Sequence, residues 1–336
     1  MVAGGELTMT RLPFDAIPSQ LGHLAVVTGA SGGLGYETAL ALALAGAEVI
    51  LAGRNEARGH AALASIRAQH SSANIRFEML DLASLESVAN FADRVLAECR
   101  PLDLLINNAG VMSLPTRQVT ADGFEMQFGT NYLSHFALTA QLLPLLCVSG
   151  RARVVSLSSI AHRRGAIHFD DLQGARAYSP WRAYSQSKLA MLMFALELQR
   201  RSDAQGWGVM SNAVHPGWAV TELINNGPGS NGKRGWTWYL SALLAPLLSH
   251  SAAAGARPTL LAATSSDAVG GAYYGPDGFQ ELKGAPTLAK VMPQAQDAEA
   301  AARLWQQSLQ LTGVSWERTL RDMRNPRANP LTQVAS

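Results

Sequence analysis

The chain has 336 residues, of which 48% are apolar and 15% are charged, and its formal net charge is +2. This length and composition are typical of a globular protein with a large core, and they exclude a disordered chain. The nearly neutral charge and the lack of a long Lys/Arg run argue against a nucleic-acid partner.

The cysteines and the N-terminal segment predict the compartment. Cys99 and Cys147 have no metal-type spacing to other Cys or His residues, which predicts reduced thiols and no metal site. Residues 1–21 are predicted to form an irregular N-terminal arm, without the basic patch and apolar core of a signal peptide. We find no apolar run long enough to span a bilayer. The expected location is therefore the cytoplasm.

The first regular elements are predicted around a glycine-rich turn. A buried strand at 24–28 leads into Gly29-Ala-Ser-Gly32-Gly33-Leu-Gly35, and a helix follows at about 36–45. Glycines let the backbone turn tightly and approach a pyrophosphate, which binds at the helix N-terminus. The spacing differs from the usual Gly-x-Gly-x-x-Gly fingerprint, so an ordinary tight turn is the alternative. The flanking strand and helix favour a dinucleotide site.

The second predicted strand, at 48–52, is followed by Gly53 and Arg54. Many NAD sites place an acidic residue here to hold the ribose 2′-hydroxyl, and Gly53 has no side chain for that purpose. Arg54 has donors that suit a 2′-phosphate, which predicts NADP as the cofactor. The alternative is that Arg54 is only a surface residue after a strand.

Helices and strands continue to alternate along the chain. Helices are predicted at 56–70, 84–98 and 131–148, with Ser84 as an N-cap, and strands at 75–79, 102–106, 153–157 and 208–214. This alternation predicts the α/β class with a Rossmann-type doubly wound parallel sheet, in which ligands bind at the carboxyl ends of strands. We assign residues 22–315 to one domain with a C-terminal helical extension at about 287–313, and residues 316–336 to a loose tail.

Tyr184 and Lys188 lie four residues apart in a further predicted helix, so they share one face of it. A free tyrosine has a pKa of ~10, and a nearby cation lowers that pKa by favouring the phenolate. Such a pair can act as the general acid or base for an alcohol and carbonyl couple. On its own, however, such a pair is more often a solvated helix face.

Taken together, these motifs resemble the short-chain dehydrogenase/reductase family. The resemblance rests on motifs in the family's order: Thr28-Gly29-x-x-x-Gly33-x-Gly35, Asn107-Asn108-Ala109-Gly110, Asn131, Ser158-Ser159, Tyr184-x-x-x-Lys188 and Pro216-Gly217. It covers residues 24–274. The long interval between Ser159 and Tyr184 is similar to the retinol dehydrogenase and WW-domain oxidoreductase branch, as are Ala161-His162 and Ala301-Ala-Arg-Leu-Trp305. The N-terminal arm is too short for a WW domain, so none is expected.

The resemblance implies a catalytic tetrad. Tyr184 would be the general acid/base, and Lys188 would lower its pKa and bind the nicotinamide ribose. Ser159 would hydrogen-bond the substrate oxygen, because the family's serine is usually the second of such a pair, and Ser158 is the alternative. Asn131 would hold a water of the proton relay through its backbone.

The resemblance also implies which residues contact the cofactor. They lie in the glycine turn and at the ends of later strands: Gly29, Ser31, Gly33, Leu34, Gly35, Arg54, Asp81, Leu82, Asn108, Gly110, Pro216, Gly217 and Thr221, with Tyr184 and Lys188. His135 and His215 are expected to be packed and hydrogen-bonded, whereas His162 and His168 are expected to be solvated.

Residues at about 218–251 are predicted to cover the site. A segment at 225–235 is rich in Gly, Asn and Ser, and an apolar segment at 236–248, which Pro246 interrupts, follows it. The family places its substrate lid here, and an apolar lid suits a bulky apolar substrate. A helix packed on the body is the second interpretation. Peripheral membrane contact ranks last, because a basic stripe is missing.

The predicted function is that of an NADP-dependent oxidoreductase that moves a hydride between nicotinamide C4 and an alcohol or carbonyl carbon. The substrate is expected to be a small apolar molecule: retinoid-like, steroid-like or a long-chain aldehyde or ketone. Two alternatives stay open, a C=C reductase on the same scaffold and a nucleotide-binding regulatory protein without turnover. The apolar faces of the Asn131 and Tyr184 helices could form a homodimer, as in the family, or pack in the core.

Overall fold

The computed structural model describes residues 17–218 and 250–316. Most of the predicted N-terminal arm, the predicted lid at 219–249 with Thr221, and the C-terminal tail from 317 lie outside the described residues.

Eight strands form one sheet in the described part of the chain, in the order β3-β2-β1-β4-β5-β6-β7-β8. They are β1 Leu24–Thr28, β2 Glu48–Gly53, β3 Ile75–Met79, β4 Leu104–Asn107, β5 Arg153–Leu157, β6 Met210–Val214, β7 Tyr273–Pro276 and β8 Pro286–Leu288. The first seven are parallel, and β8 pairs antiparallel with β7. The strand order reverses between β1 and β4, which is where such sheets bind ligands.

Helices cover both faces of the sheet. They are α1 Gly33–Leu44, α2 Glu56–Gln69, α3 Leu85–Leu96, α4 Met126–Ser149, α5 Pro180–Gln205, α6 Ala252–Thr264, α7 Pro293–Gln296 and α8 Ala298–Thr312. Side chains alternate between the two faces of a strand. Accordingly, Leu24 and Val26 of β1 join one apolar core, and Ala25 and Val27 join the other. These two cores, one on each face, confirm the predicted doubly wound sheet.

Most predicted elements up to β6 are confirmed. The bounds of β1, β3 and β5 are those predicted, and α3 begins after Ser84, whose hydroxyl accepts a hydrogen bond from the Ser87 N–H at 3.2 Å. Helix α1 begins at Gly33 instead of residue 36, because the Tyr36 N–H already donates a helical hydrogen bond to the Gly32 carbonyl at 3.3 Å.

The C-terminal third differs from the sequence analysis. Helix α6 and strand β7 were not predicted, and residues 287–288 belong to β8 and not to a helical extension. The physical reason is that the sequence pattern of these elements is weak. Helix α6 contains Pro258 and packs small residues against α1. Strands β7 and β8 have only four and three residues. Tertiary contacts, not local periodicity, determine these elements.

Helix α4 is longer than predicted and includes one π-helical turn at Gly129–Leu133. Its start is fixed by Glu125, whose carboxylate accepts hydrogen bonds from the N–H groups of Gln127 and Phe128 at 3.0 and 2.7 Å. By length and composition this helix could cross a membrane, so the expectation that no such run exists was wrong. However, 78% of its most apolar window is buried inside the protein, and packing accounts for its apolar character.

An aromatic cluster joins α8 to α4 and α5. The ring of Trp305 lies 4.9 Å from Phe136 and 4.6 Å from Trp316, measured between centroids, and the Arg201 guanidinium lies 4.3 Å from the Trp305 ring. The apolar faces of α4 and α5 therefore pack in the core, which was one of the two alternatives. A homodimer stays a prediction.

Replacing Trp305 with Ala should lower the free energy of unfolding by about 3–5 kcal/mol, because large buried aromatic side chains cost that much when truncated. Only 3% of Trp305 is exposed. Urea denaturation would measure the change, with Trp305→Phe expected to lose less and Leu44→Ala, at an exposed position, expected to lose little. Equal stability of Trp305→Ala and the wild type would show that α8 does not stabilise the fold.

Candidate active site

The glycine turn between β1 and α1 has the geometry of a phosphate cradle. Gly29 has a φ of +66°, which favours glycine, and a Cβ atom on Gly35 would lie 2.4 Å from the Gly29 carbonyl oxygen. Helix α1 begins after Gly32 without a side-chain cap, so its first N–H groups are open to an acceptor. A pyrophosphate fits such a helix N-terminus.

A hydroxyl and a cation lie at the end of β2. A Cβ atom on Gly53 would lie 3.7 Å from the Ser31 hydroxyl and 3.6 Å from Phe77, so a small side chain could be accommodated there. Arg54 is exposed, and within the described residues no hydrogen bond or ion pair holds its guanidinium. These two side chains fit the 2′-phosphate of NADP.

Asp81 and Leu82, which the resemblance assigned to the adenine, follow the end of β3. Asp81 is half-buried, and its carboxylate accepts a hydrogen bond from the Ala83 N–H at 3.0 Å. The Leu82 side chain is buried, and its carbonyl accepts a hydrogen bond from the Ser134 hydroxyl at 2.7 Å. Both residues are thus fixed at the carboxyl edge of the sheet.

The hydroxyl of Thr28 joins the first turn to the turn after β4. It accepts hydrogen bonds from the N–H groups of Asn108 at 2.9 Å and Ala109 at 3.0 Å. The Asn108 amide in turn donates to the Thr28 carbonyl at 2.7 Å. The sequence identified Thr28 only as part of a motif, and its position before Gly29 was the available signal for this role.

Asn131 lies in the π turn of α4, and hydrogen bonds occupy its side chain. Its Oδ1 accepts from the Val111 N–H at 2.7 Å, and its Nδ2 donates to the Val111 carbonyl and to the Ser187 hydroxyl, both at 2.9 Å. The side chain therefore ties the turn after β4 to α5. What it leaves for catalysis is the backbone, and the role of that backbone in a proton relay stays a prediction.

His135 connects Thr28 to the Asn131 backbone. Its Nδ1 lies 2.9 Å from the Asn131 carbonyl, and its Nε2 lies 2.9 Å from the Thr28 hydroxyl. Complete burial lowers the pKa of His135 to about 4, so the ring is neutral at pH 7. Because a carbonyl can only accept, Nδ1 carries the proton and Nε2 accepts from Thr28. His135 is packed and hydrogen-bonded, as predicted.

Tyr184 and Lys188 face the same buried space. The Lys188 Nζ lies 5.9 Å from the centroid of the Tyr184 ring and donates to the Leu157 carbonyl at 3.0 Å. Burial raises the pKa of Tyr184, while hydrogen bonding to Ser159 opposes that rise. Burial lowers the pKa of Lys188 to about 8. Burial is the larger of the two effects on Tyr184, so in the chain alone the phenol pKa is raised and not lowered as expected.

The structure distinguishes the two serines at the end of β5. Ser158 is buried, and its hydroxyl donates to the Lys188 carbonyl at 2.7 Å. Ser159 is half-buried, its hydroxyl accepts a hydrogen bond from the Ala161 N–H at 3.2 Å, and it lies close enough to Tyr184 to moderate the rise in the phenol pKa. Ser159 is thus the serine beside the phenol.

His162 is buried, so its predicted solvation was wrong. A 3-10 turn at Ile160–Arg164 folds its ring against Tyr273, with the ring centroids 5.2 Å apart, and its Nδ1 donates to the Ser159 carbonyl at 2.7 Å. Burial lowers the pKa of His162 to about 4. His162 therefore supports the backbone that carries Ser159, whereas His168 is only half-buried.

The turn after β6 is held by the segment between β7 and β8. Gly217 has a φ of +71°, and a Cβ atom there would lie 2.4 Å from the Leu282 carbonyl oxygen. Its N–H donates to His215 Nδ1 at 3.1 Å, and His215 Nε2 donates to the Glu281 carboxylate at 2.9 Å. His215 is therefore packed and hydrogen-bonded, as predicted, and it fixes the turn that contains Pro216.

These elements bring the predicted catalytic residues to one edge of the sheet. A Cβ atom on Gly110 would lie 3.1 Å from Asn131 Oδ1 and 3.5 Å from Lys188 Nζ, so the turn after β4, α4 and α5 meet there. The arrangement puts a phenol, a hydroxyl and an amine together in a largely buried space next to the phosphate cradle. It can transfer a proton to or from an oxygen beside a bound dinucleotide.

The chain is similar to known dehydrogenases along most of its length. Residues 23–228 match the sequence profile of the family described as short chain dehydrogenase. Polyprenol dehydrogenase of Mus musculus is 43% identical over 304 residues, which cover 88% of this chain and 86% of that protein. Retinol dehydrogenase 13 of Homo sapiens is 43% identical over 299 residues, which cover 87% of this chain and 85% of that protein.

Solved structures share the fold. A crystal structure of an uncharacterized protein from Mycobacterium paratuberculosis is 40% identical with a TM-score of 0.73, and the match covers 91% of this chain and 99% of that one. A candidate NAD(P)-dependent gluconate 5-dehydrogenase from Beutenbergia cavernae, which holds NADP at low occupancy, is 26% identical with a TM-score of 0.59. That match covers 78% of this chain and 96% of the other. These similarities confirm the predicted fold class.

The stability of the protein should fall as the pH decreases from 6.5 to about 4. His135 and His162 have 0% exposure and a lowered pKa of about 4. Between pH 6.5 and pH 4 the unfolded chain protonates these histidines and the folded chain does not. Each histidine therefore lowers the free energy of unfolding by up to roughly 3 kcal/mol at pH 4. Urea denaturation at pH 7.5 and pH 5 would measure this fall. His162→Asn should reduce the pH dependence, and a flat profile in the wild type would contradict the prediction.

Proposed function

The chain belongs to the short-chain dehydrogenase/reductase family, and we propose that it is an NADP(H)-dependent oxidoreductase acting on an apolar alcohol or carbonyl compound. The observation that carries this proposal is the convergence of Tyr184, Ser159 and Lys188 beside the glycine turn after β1. A protein that used the fold only to bind a nucleotide would not need this set of side chains.

Ser159 and Tyr184 have different roles at the substrate oxygen. NADPH, when bound, supplies the hydride for reduction. Ser159 hydrogen-bonds the carbonyl oxygen and holds it against Tyr184, which donates a proton as the oxygen becomes negative. Burial raises the pKa of Tyr184, so the phenol keeps its proton until negative charge develops on the substrate oxygen.

Lys188 and Asn131 are the residues through which Tyr184 regains a proton after it has donated its own. The pKa of Lys188 is lowered to about 8 by burial, so its amine can lose and regain a proton near neutral pH. The Asn131 carbonyl accepts a hydrogen bond from His135 Nδ1. We assign the same carbonyl as the acceptor for a relay water. In this proposal a proton passes from solvent to the relay water that the Asn131 carbonyl holds, then to Lys188 and on to Tyr184.

The substrate class rests on the relatives and on the predicted apolar lid. Polyprenol and retinol, the alcohols in the relatives' names, are long isoprenoid molecules with one oxygen at the end. We therefore propose a retinoid-like, steroid-like or long-chain aldehyde or ketone as the substrate. The cytoplasmic location and the homodimer stay predictions.

Oxidation of NADPH in the presence of a carbonyl panel tests the proposed reaction. The panel would contain retinaldehyde, a polyprenal, a steroid ketone, decanal and propanal, with the product identified after each reaction. An alcohol product from a bulky apolar member supports the proposal. A product reduced at C=C would favour the alternative reductase, and tight NADPH binding without any turnover would favour the regulatory protein.

Replacing Tyr184 with Phe should lower kcat by at least about two orders of magnitude, because general acid catalysis typically contributes 10²–10⁴-fold. NADPH affinity, followed by the fluorescence of the cofactor, should stay close to that of the wild type. Tyr36→Phe removes a hydroxyl that bonds Ser65 on the surface, and it serves as the matched control. Turnover of a good substrate by Tyr184→Phe at the wild-type rate would refute the assignment.

The wild type should prefer NADPH to NADH by about ten- to a hundredfold in kcat/KM, since a charge-assisted hydrogen bond contributes ~1.5–3 kcal/mol. The lower end is expected for an exposed guanidinium such as that of Arg54, and the preference should weaken with salt. Replacing Gly53 with Asp and Arg54 with Ala should reverse the preference, because the new carboxylate accepts a bond from the 2′-hydroxyl and repels the 2′-phosphate.

The two cofactors would be compared at low and moderate salt in the wild type, the double variant and Arg67→Ala. Arg67 lies at the C-terminal end of α2 and donates a hydrogen bond to the Ile75 carbonyl of β3. Its removal therefore controls for the loss of a positive charge. A cofactor ratio that does not change in the double variant would show that Arg54 is only a surface residue.

A further inference from the structure

Trp181 differs from the other large apolar side chains that the described residues expose. It is 49% exposed, and it belongs to neither apolar core. Its ring contacts the ring of Tyr184, with centroids 5.6 Å apart and planes inclined by 40°. An indole that is half exposed, belongs to neither core and contacts the proton donor is available to a ligand bound at that donor.

The backbone under Trp181 is fixed, so the indole has a defined position. Trp181 follows Pro180 in the first turn of α5, three residues before Tyr184, and therefore shares a face with it. The Pro180 carbonyl accepts a hydrogen bond from Gln127 at 3.0 Å, and the Tyr178 hydroxyl donates to the Leu114 carbonyl at 2.7 Å. These bonds hold the start of α5 against the start of α4 and against the loop after β4.

The charges next to Trp181 are paired. The neighbouring Arg182 faces Asp171, with their charged atoms 4.0 Å apart. A neutral ligand can therefore pack on the indole, because Arg182 and Asp171 already pair with each other and need no charged group from the ligand. An aromatic face favours flat, polarisable partners, with which it stacks in offset or tilted geometry.

We propose that Trp181 is a specificity-determining residue that contacts the substrate next to its reacting carbon and selects neutral carbonyl compounds with a planar unsaturated segment there. This inference rests on the proposed function and names the substrate class more closely. In this arrangement Tyr184 and Ser159 hold the oxygen, and Trp181 packs on the conjugated carbons that follow it. A saturated flexible chain of similar length gains less, because it presents no flat face and loses more conformational freedom on binding.

The test compares kcat/KM for retinaldehyde, decanal and propanal in the wild type, Trp181→Ala, Trp181→Phe and the control Leu44→Ala. Leu44 is 52% exposed at the end of α1, away from the site. Trp181→Ala should lose at least about tenfold with retinaldehyde and little with propanal, as expected when one apolar contact is removed. Trp181→Phe, which keeps an aromatic face, should retain most of the activity.

A binding measurement separates contact with substrate from an effect on Tyr184. In the Tyr184→Phe background, which should not turn over, the fluorescence of retinol would report its affinity for the protein with NADP⁺ bound. Adding Trp181→Ala should weaken the retinol affinity at least about tenfold. NADP⁺ affinity should not change.

The outcomes distinguish the inference from the function on which it rests. Equal losses of kcat for all three carbonyls would show that Trp181 only positions Tyr184, and unchanged retinol affinity would show that it does not touch the substrate. Either result overturns the inference and leaves the proposed function intact. Absence of turnover by the wild type with every carbonyl would overturn both.

Discussion

The hydroxyl of Thr28 is the interaction on which the rest of the site depends. It lies where the strand order reverses, and it bonds the two N–H groups of the turn after β4 and the ring of His135. Through His135 it reaches the Asn131 carbonyl in α4. One buried hydroxyl thus sets the spacing between the phosphate cradle, the turn that follows β4 and the helix that faces Tyr184. In a dry interior such bonds are difficult to replace, because an unsatisfied group there costs about 1–3 kcal/mol.

Burial is the second constraint, and it acts on the catalytic groups in opposite directions. It raises the pKa of the Tyr184 phenol and lowers the pKa of the Lys188 amine to about 8. Both shifts favour the neutral form, as expected for groups removed from water. The chain therefore keeps a protonated phenol next to an amine that can exchange a proton near neutral pH. This is a different arrangement from a phenolate held by a permanent cation.

The sequence was informative where function depends on local pattern. The glycine turn after β1, the strand ends and the pair Tyr184 and Lys188 could be recognised because short spacings place them together. By contrast, nothing local indicated that α6 covers α1 or that His162 is buried under a 3-10 turn. Those facts depend on contacts between distant segments. The pKa of Tyr184 was misjudged for the same reason, since burial cannot be read from a spacing of four residues.

The aromatic cluster under α8 has a consequence for the synthesis of the protein. Phe136 and Phe194 lie in α4 and α5, whereas Trp305 and Trp316, which contact both, come near the end of the chain. A ribosome adds about 5–20 residues per second, so the apolar faces of α4 and α5 are made seconds before their cover. During that interval the nascent chain presents them to water. The helix α5 that carries Tyr184 can therefore complete its native packing only after translation has passed residue 316.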